Sequence, residues 1–126
     1  MGLRMAYRLL IPSNDPEGIS LADHFGRAPF FVIVDLDERG NVTEKSVEQN
    51  TSGHLGGRGH AHENVMSYSP HVVIVQGMGP RGLRSFEAHD VAVLQSRSGS
   101  VDDAISSYLR GDLQELTEGC SHAHHK

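Results

Sequence analysis

The fold of this chain is decided by one stretch, which runs His71-Val-Val-Ile-Val-Gln-Gly-Met-Gly-Pro-Arg-Gly82. Its four consecutive β-branched residues, Val72 to Val75, predict a short strand that is buried on both faces. Glycines end the strand, and Pro80 suits the first turn of a helix because its missing N–H needs no partner there. The stretch therefore predicts a strand, a glycine turn and a helix, with N–H groups at the helix start that favour anions.

The glycines of this turn, Gly77, Gly79 and Gly82, also have the spacing G-x-G-x-x-G that is found in dinucleotide-binding proteins. In those proteins the motif follows the first strand, and an acidic residue ends the next one. Here the motif comes late, and the next predicted strand, residues 91–94, is followed by Gln95. Three interpretations stay open: glycines needed only for a tight turn, a nucleotide site, or a site for another anionic ligand.

The rest of the sequence predicts a mixed α/β sheet of five strands with helices packed on it. The other predicted strands are residues 7–11, which Pro12 ends, and residues 30–36, 42–47 and 91–94; the predicted helices are residues 60–68, 80–88 and 100–109. The first three strands form an antiparallel meander. The second half alternates strand and helix, which favours parallel pairing through right-handed crossovers. We expect the first strand near the centre, between the meander and the parallel strands.

Length and composition restrict the class of protein. The 126 residues fit one domain, which we expect at residues 5–112, between a leader (1–4) and a flexible Cys/His-rich tail (113–126). A net charge of −5 argues against nucleic-acid binding, and no apolar run is long enough for a membrane span. The single cysteine, Cys120, excludes an internal disulfide and favours a cytoplasmic location.

Histidine is unusually abundant, with nine residues that lie mostly in two clusters. Imidazole and thiolate groups together suit soft or borderline metals such as zinc, copper(I) or clustered iron. The candidate metal ligands are His54 in a glycine-rich loop, His60 and His62 at the start of the helix predicted after it, and Cys120 and His122 in the tail, near His124 and His125. The alternatives are solvated histidines at the helix start and a weak, adventitious chelator in the tail.

A second set of candidate residues would bind a negatively charged cofactor at the glycine turn. His24 lies beside Phe25 just before a predicted strand, and it is either a ligand or a packed, hydrogen-bonded residue. Arg27 and Arg81 would help to hold an anion, unless each forms an ordinary surface ion pair. Together with Gly77 and Gly79 these residues form the predicted cofactor site.

Catalysis is not expected from this sequence. Ser, His and Asp residues all occur, but none lies in a pattern that resembles a strained nucleophile elbow. Cys120 lies in the predicted tail, where a catalytic thiol would lack an orienting base. We therefore predict a protein that is not an enzyme.

The stretch Ser20-Leu-Ala-Asp-His-Phe-Gly-Arg-Ala-Pro-Phe-Phe-Val-Ile-Val-Asp35 resembles the opening motif of the dinitrogenase iron–molybdenum cofactor biosynthesis family. The turn Gly77-Met-Gly-Pro-Arg-Gly82 and the predicted helix at residues 101–109 also resemble that family. The likeness therefore covers roughly residues 5–112. The resemblance implies a ribonuclease H-like fold. It does not imply nuclease activity, because the predicted central strands, residues 7–11 and 72–76, carry no carboxylates for two Mg²⁺ ions.

The same resemblance implies the binding or carrying of an iron–sulfur or molybdenum–iron–sulfur cluster, or its precursor, without turnover. Such a carrier would have a recipient metalloprotein as its partner and would act as a monomer or a homodimer. The folded body has no cysteine, so histidines or a second protomer would have to supply ligands. Two alternatives stay open: a simple zinc- or nickel-binding protein, and a domain that binds a small anion at the glycine turn.

Overall fold

The computed structural model describes residues 7–50 and 65–116. Within these ranges six strands form a single sheet in the order β3-β2-β1-β4-β5-β6. The strands are β1 (Tyr7–Ser13), β2 (Phe30–Leu36), β3 (Val42–Gln49), β4 (Val72–Val75), β5 (Ala92–Gln95) and β6 (Gln114–Leu116); the helices are α1 (Pro80–Ala88) and α2 (Val101–Arg110). A single 3-10 turn, Phe25–Arg27, precedes β2.

Strand β1 lies near the centre of the sheet, as predicted. It pairs with β2 in antiparallel fashion and with β4 in parallel fashion, and β4 in turn pairs with β5 in parallel. Strand β3 forms the outer edge of the meander, where its polar side chains are mostly exposed. The predicted antiparallel meander and the predicted parallel pairing of β1, β4 and β5 are therefore both confirmed.

The two faces of the sheet bury separate cores because successive side chains of a strand point to opposite faces. One core contains Phe31 and Ile33 of β2, Val73 and Val75 of β4, and Phe86 of α1. The other core contains, among others, Val32 and Val34 of β2, Ile74 of β4, and Val101 and Ile105 of α2. The structure thus has three layers, with α1 and α2 on opposite sides of the sheet.

Each helix begins and ends where its sequence chemistry predicts. Helix α1 has Pro80 in its first turn, and in α2 the Ser100 hydroxyl accepts a hydrogen bond from the Asp103 N–H at 3.2 Å. Asp103 does not complete a capping box; its carboxylate accepts a hydrogen bond from the Ser98 hydroxyl at 3.0 Å. Gly111 ends α2 with a φ of 77°, a left-handed conformation that glycine adopts without strain.

Two predictions about the strands are wrong. The sheet has six strands and not five, because Gln114–Leu116, inside the range predicted as a tail, pairs with β5. Strand β1 does not end at Pro12 but continues to Ser13. Pro12 is tolerated because its carbonyl accepts the Ala22 N–H at 2.9 Å, and a strand residue directs N–H and C=O to the same side. Its missing N–H therefore removes no hydrogen bond to β2.

An ion pair joins β1 and β2 near the start of β1. The Arg8 Nε and Nη2 atoms donate to the Asp35 carboxylate at 2.7 and 3.1 Å, and Nη1 donates to the Tyr68 carbonyl at 2.8 Å. The hydrogen bond from Arg8 holds the pKa of the Asp35 carboxyl below its usual value, and the same hydrogen bond raises the pKa of Arg8. Across the sheet, His71 Nδ1 accepts the Arg8 N–H at 2.9 Å, which fixes β4 against β1.

About half of the helix predicted for residues 60–68 lies outside the described residues. Of its described part, residues 65–68, Val65 and Met66 are helical. Of the helices that the structure describes, none has the length and apolar character needed to span a membrane. The ribonuclease H-like assignment stays a prediction.

Candidate functional site at the carboxyl edge of the sheet

Strands β1, β4 and β5 are parallel, so their carboxyl ends meet at one edge of the sheet. In open α/β sheets this edge is where ligands usually bind. The glycine turn follows β4 at this edge. The loop that carries His24 and Arg27 leads into Phe30, which pairs with Ser13 at the end of β1. The fold therefore brings the predicted cofactor-binding residues to the same edge.

The glycine turn presents a row of free backbone donors. Within the described part of the chain, the N–H groups of Gly77, Met78 and Gly79 donate to no acceptor. The two glycines are not explained by backbone strain, because neither has a positive φ. A Cβ added at either one would meet no atom within 4 Å. Neither backbone strain nor crowding therefore requires glycine at these two positions, and their missing side chains leave the N–H donors accessible.

Helix α1 and Arg81 add positive charge to this row of donors. The N-cap of α1 is Gly79, which has no side chain to bind the free N–H groups of the first turn. Arg81, in that first turn, is exposed and forms no ion pair with any residue that the structure describes. The predicted alternative, an ordinary surface ion pair, is absent for Arg81 in this part of the chain. A helix N-terminus together with a free guanidinium is favourable for an anion.

His24 and Arg27 lie on the other loop of the edge. Both side chains are exposed, and neither has a hydrogen bond or ion pair among residues 7–50 and 65–116. The prediction that His24 is packed and hydrogen-bonded is therefore wrong. The two side chains line a small, half-open cavity of about 120 Å³, whose other lining residues are Asn14, Ala22, Asp23 and Ala28. Gly77, Gly79 and Arg81 do not line this cavity, so the two groups share an edge of the sheet but not one cavity.

Two glutamines that the sequence analysis did not select connect the loops of this edge. Gln76, directly after β4, donates from Nε2 to the Leu21 carbonyl at 3.0 Å. Gln95, the last residue of β5, donates from Nε2 to the Gln76 carbonyl at 3.1 Å. Both are polar residues at the carboxyl ends of apolar strands, and this position was the signal that could have identified them. They fix the start of the glycine turn without bonding to its own N–H groups.

The predicted metal ligands lie outside the described residues. These are His54, His60, His62, Cys120 and His122, and their assignment stays a prediction. In the ranges 7–50 and 65–116 no three His, Cys, Asp or Glu side chains are grouped so that they could hold a metal ion.

The comparisons with known proteins agree with this architecture. An uncharacterised protein of Methanocaldococcus jannaschii, MJ0580, is 29% identical over 98 residues, which cover 76% of this chain and 82% of that protein. The solved structure of TM1290 from Thermotoga is 28% identical, with a TM-score of 0.70 and coverage of 88% of this chain and 94% of that one.

A third similar structure is the apo form of the orange protein from Desulfovibrio gigas. It is 20% identical, with a TM-score of 0.73 and coverage of 86% of this chain and 92% of that one, and at this identity it supports the fold alone. Residues 5–111 match the family described as dinitrogenase iron-molybdenum cofactor. Because this match spans most of the sequence, the chain belongs to the dinitrogenase iron-molybdenum cofactor family.

Proposed function

We propose that this protein binds and carries an iron–sulfur or molybdenum–iron–sulfur cluster, or its precursor, without catalysing a reaction on it. The cargo would bind at the carboxyl edge of the sheet, and a recipient metalloprotein would take it over. Family membership supports a role connected with this class of cluster. The choice of site rests on the chemistry of the glycine turn.

One observation carries the proposal: three consecutive N–H groups, those of Gly77, Met78 and Gly79, have no acceptor in the described part of the protein. The sulfur and oxygen atoms of an anionic cluster accept hydrogen bonds, and the backbone can come close to them because no side chain stands at Gly77 or Gly79. Arg81 and the start of α1 would balance part of the negative charge.

The loop with His24 and Arg27 would approach the cargo from the other side of the edge. An imidazole is a good ligand for iron, and His24 is free to act as one because its ring is exposed and makes no described hydrogen bond. Arg27 would add a second positive charge. Ligands from His54, His60, His62, Cys120 or His122, or from a second protomer, would complete the set.

Anaerobic reconstitution tests this function. The full chain is incubated with iron and sulfide, with and without molybdate, and the visible absorbance and the metal and sulfide content per chain are measured. We expect stoichiometric colour, which Arg81→Gln and Gly77→Ala reduce. Arg39→Gln is the matched control, because Arg39 is also exposed but lies in the β2–β3 turn.

Each unfavourable result has a distinct meaning. A colourless wild-type protein would overturn the carrier function. In another outcome the wild type becomes coloured, Arg81→Gln and Gly77→Ala have no effect, and the double variant His60→Ala, His62→Ala loses the colour. That result would support the carrier function but would place its site at His60 and His62.

A small-anion site is the second candidate, since the same three N–H groups would suit a simple oxyanion. A thermal-shift series with molybdate, phosphate and nucleotides tests it in the absence of iron and sulfide. Ligand at a hundred times its dissociation constant should stabilise the fold by about 2.7 kcal/mol, so a flat melting temperature at millimolar ligand would exclude this candidate.

A further inference from the structure

A second cavity lies at the same edge of the sheet, away from the glycine turn. It has a volume of about 380 Å³ and lies where β5, the loop after it, the end of α2 and the start of β6 meet. This volume is in the range of small-molecule sites, which is roughly 300–1,000 Å³. Seven of its eight lining residues are polar or charged, among them Gln95, Ser96, Arg97, Ser107 and Gln114.

Ser96 is an unusual residue in the wall of this cavity, because it is polar and only 2% exposed. Its hydroxyl oxygen accepts a long hydrogen bond of 3.3 Å from the Ser98 N–H. Its hydroxyl hydrogen has no acceptor among the described residues. A buried donor without a partner costs free energy, so a ligand in the cavity that accepts this hydrogen bond would be favoured.

Arg97 supplies the charge. It is exposed and has no ion-pair partner among residues 7–50 and 65–116. The carboxylate that also lines the cavity, Asp112, is already occupied, since it accepts a hydrogen bond from Arg110 Nε at 2.8 Å. The cavity therefore has an Arg97 cation without a described partner, and its carboxylate is already paired with Arg110.

The loop that carries these two residues is held rigidly at both ends. The Ser96 N–H donates to the Val75 carbonyl at 2.8 Å, and the Gly99 carbonyl accepts the Leu21 N–H at 2.9 Å. Between them the Ser98 hydroxyl accepts the Ser100 N–H at 3.0 Å and donates to Asp103. Because the backbone is already ordered, a ligand would not have to order it on binding.

We propose that this cavity is a binding site for a small molecule that bears a carboxylate or phosphate group. The Arg97 guanidinium binds the oxyanion through its planar pair of N–H donors, and the Ser96 hydroxyl donates a further hydrogen bond. The free side-chain atoms of Gln95 and Gln114 bind the remaining polar atoms of the molecule. The site is separate from the glycine turn, and it does not depend on the cluster-carrying function.

Titration of the isotope-labelled full chain, followed by ¹H–¹⁵N correlation spectra, tests the proposal. Malonate and inorganic phosphate are the two probes, and the one that binds more tightly identifies the source of the oxyanion. We expect saturable shifts of the Ser96, Arg97 and Gln114 N–H resonances at millimolar probe. Arg97→Gln, a surface change that leaves the fold intact, should weaken binding by at least about tenfold, because the charge and its pair of charge-assisted hydrogen bonds are lost.

Two controls separate this site from the rest of the surface. Arg39→Gln removes an exposed charge that does not line the cavity, and Arg81→Gln removes the charge at the glycine turn. Both should leave unchanged the dissociation constant that is read from the Ser96, Arg97 and Gln114 resonances. Absence of saturable shifts with both probes, or equal weakening by all three arginine variants, would overturn the proposal, whatever the result of cluster reconstitution.

Discussion

The rings of Phe25 and Phe86 meet edge to face, with their centroids 5.6 Å apart and an interplanar angle of 88°. Phe25 belongs to the 3-10 turn between His24 and Arg27, and Phe86 belongs to α1, which begins at the glycine turn. This contact packs the two loops of the candidate site against one core. The relative position of their functional groups therefore depends on a pair of buried rings.

Removing the Phe25 ring should loosen the loop with His24 and Arg27. We expect Phe25→Ala to lower the free energy of unfolding by about 3–5 kcal/mol, because Phe25 is 6% exposed and its loss leaves a cavity. Phe25→Leu, the control, fills more of the space and should cost less. Urea denaturation measures both. Hydrogen exchange of the Arg27 and Ala28 N–H groups should accelerate more in the alanine variant, and equal effects of the two variants would contradict this account.

Gly77 should be dispensable for folding but required for binding. Because an added Cβ meets nothing within 4 Å and φ is not positive, Gly77→Ala should leave the free energy of unfolding unchanged or raise it by at most about 1 kcal/mol. Cluster reconstitution should nevertheless fall, since the methyl group stands where the cargo approaches the N–H groups. Gly99→Ala, at another unhindered glycine, should leave reconstitution unchanged; a loss of stability in Gly77→Ala would show that the fold needs this glycine.

Gly18 should be the opposite case. It has a φ of 71°, and an added Cβ would lie 2.8 Å from Cγ2 of Val32 and 3.0 Å from Cγ2 of Val47. Gly111 has a similar φ of 77° but open space around it. We expect Gly111→Ala to cost about 1–2 kcal/mol for the left-handed backbone alone, and Gly18→Ala to cost about 1–3 kcal/mol more for the overpacking. Equal midpoints of urea unfolding for the two variants would contradict the steric part of this prediction.

Asp35 should make stability depend on pH in the acid range. Its pKa is lowered in the folded state by the hydrogen bond from Arg8, so the unfolded state binds a proton more readily. The stabilisation is therefore present above the unfolded pKa of about 3.9 and is lost as pH falls through the folded pKa. Asp15 and Asp37, whose pKa values are lowered by backbone N–H donors, contribute in the same window.

The Asp35 contribution is isolated by comparing variants. Urea unfolding from pH 6 downward should show a shallower loss of stability in Asp35→Asn than in the wild type. Asp90→Asn is the control, because Asp90 is exposed and asparagine tolerates its positive φ of 61°. Parallel pH profiles for the wild type and Asp35→Asn would show that the Arg8–Asp35 pair does not contribute through protonation.

The sequence was sufficient for the central elements because their patterns are local. The apolar run Val72–Val75, the proline at the start of α1 and the cap at Ser100 each fix a strand or a helix end by chemistry within a few residues. The order of the sheet followed from the alternation of strands and helices. Strand β6 was missed because Gln114–Leu116 has no pattern of its own and is ordered only by pairing with β5.

The candidate site could be predicted only in part. Gly77, Gly79 and Arg81 were found because glycines before a helix have a recognisable spacing, and His24 and Arg27 because they lie in a family motif. No local pattern could predict that His24 is exposed, or that Arg27 and Arg81 have no partner among the described residues. Both facts depend on tertiary packing. The Gln95–Gln76 hydrogen bond joins residues 19 positions apart and exists only because β4 and β5 are neighbours.

The sequence by itself determined which segments form strands and helices, the central place of β1 and the family of the protein, since these depend on residue types at short and regular spacing. The tertiary structure alone decided which groups stay free to bind. It left the three N–H groups of the glycine turn without an acceptor among residues 7–50 and 65–116, and it brought the buried hydroxyl of Ser96 beside Arg97 and the end of α2. Whether a polar group is satisfied depends on every segment packed around it, and those segments are far apart in the chain.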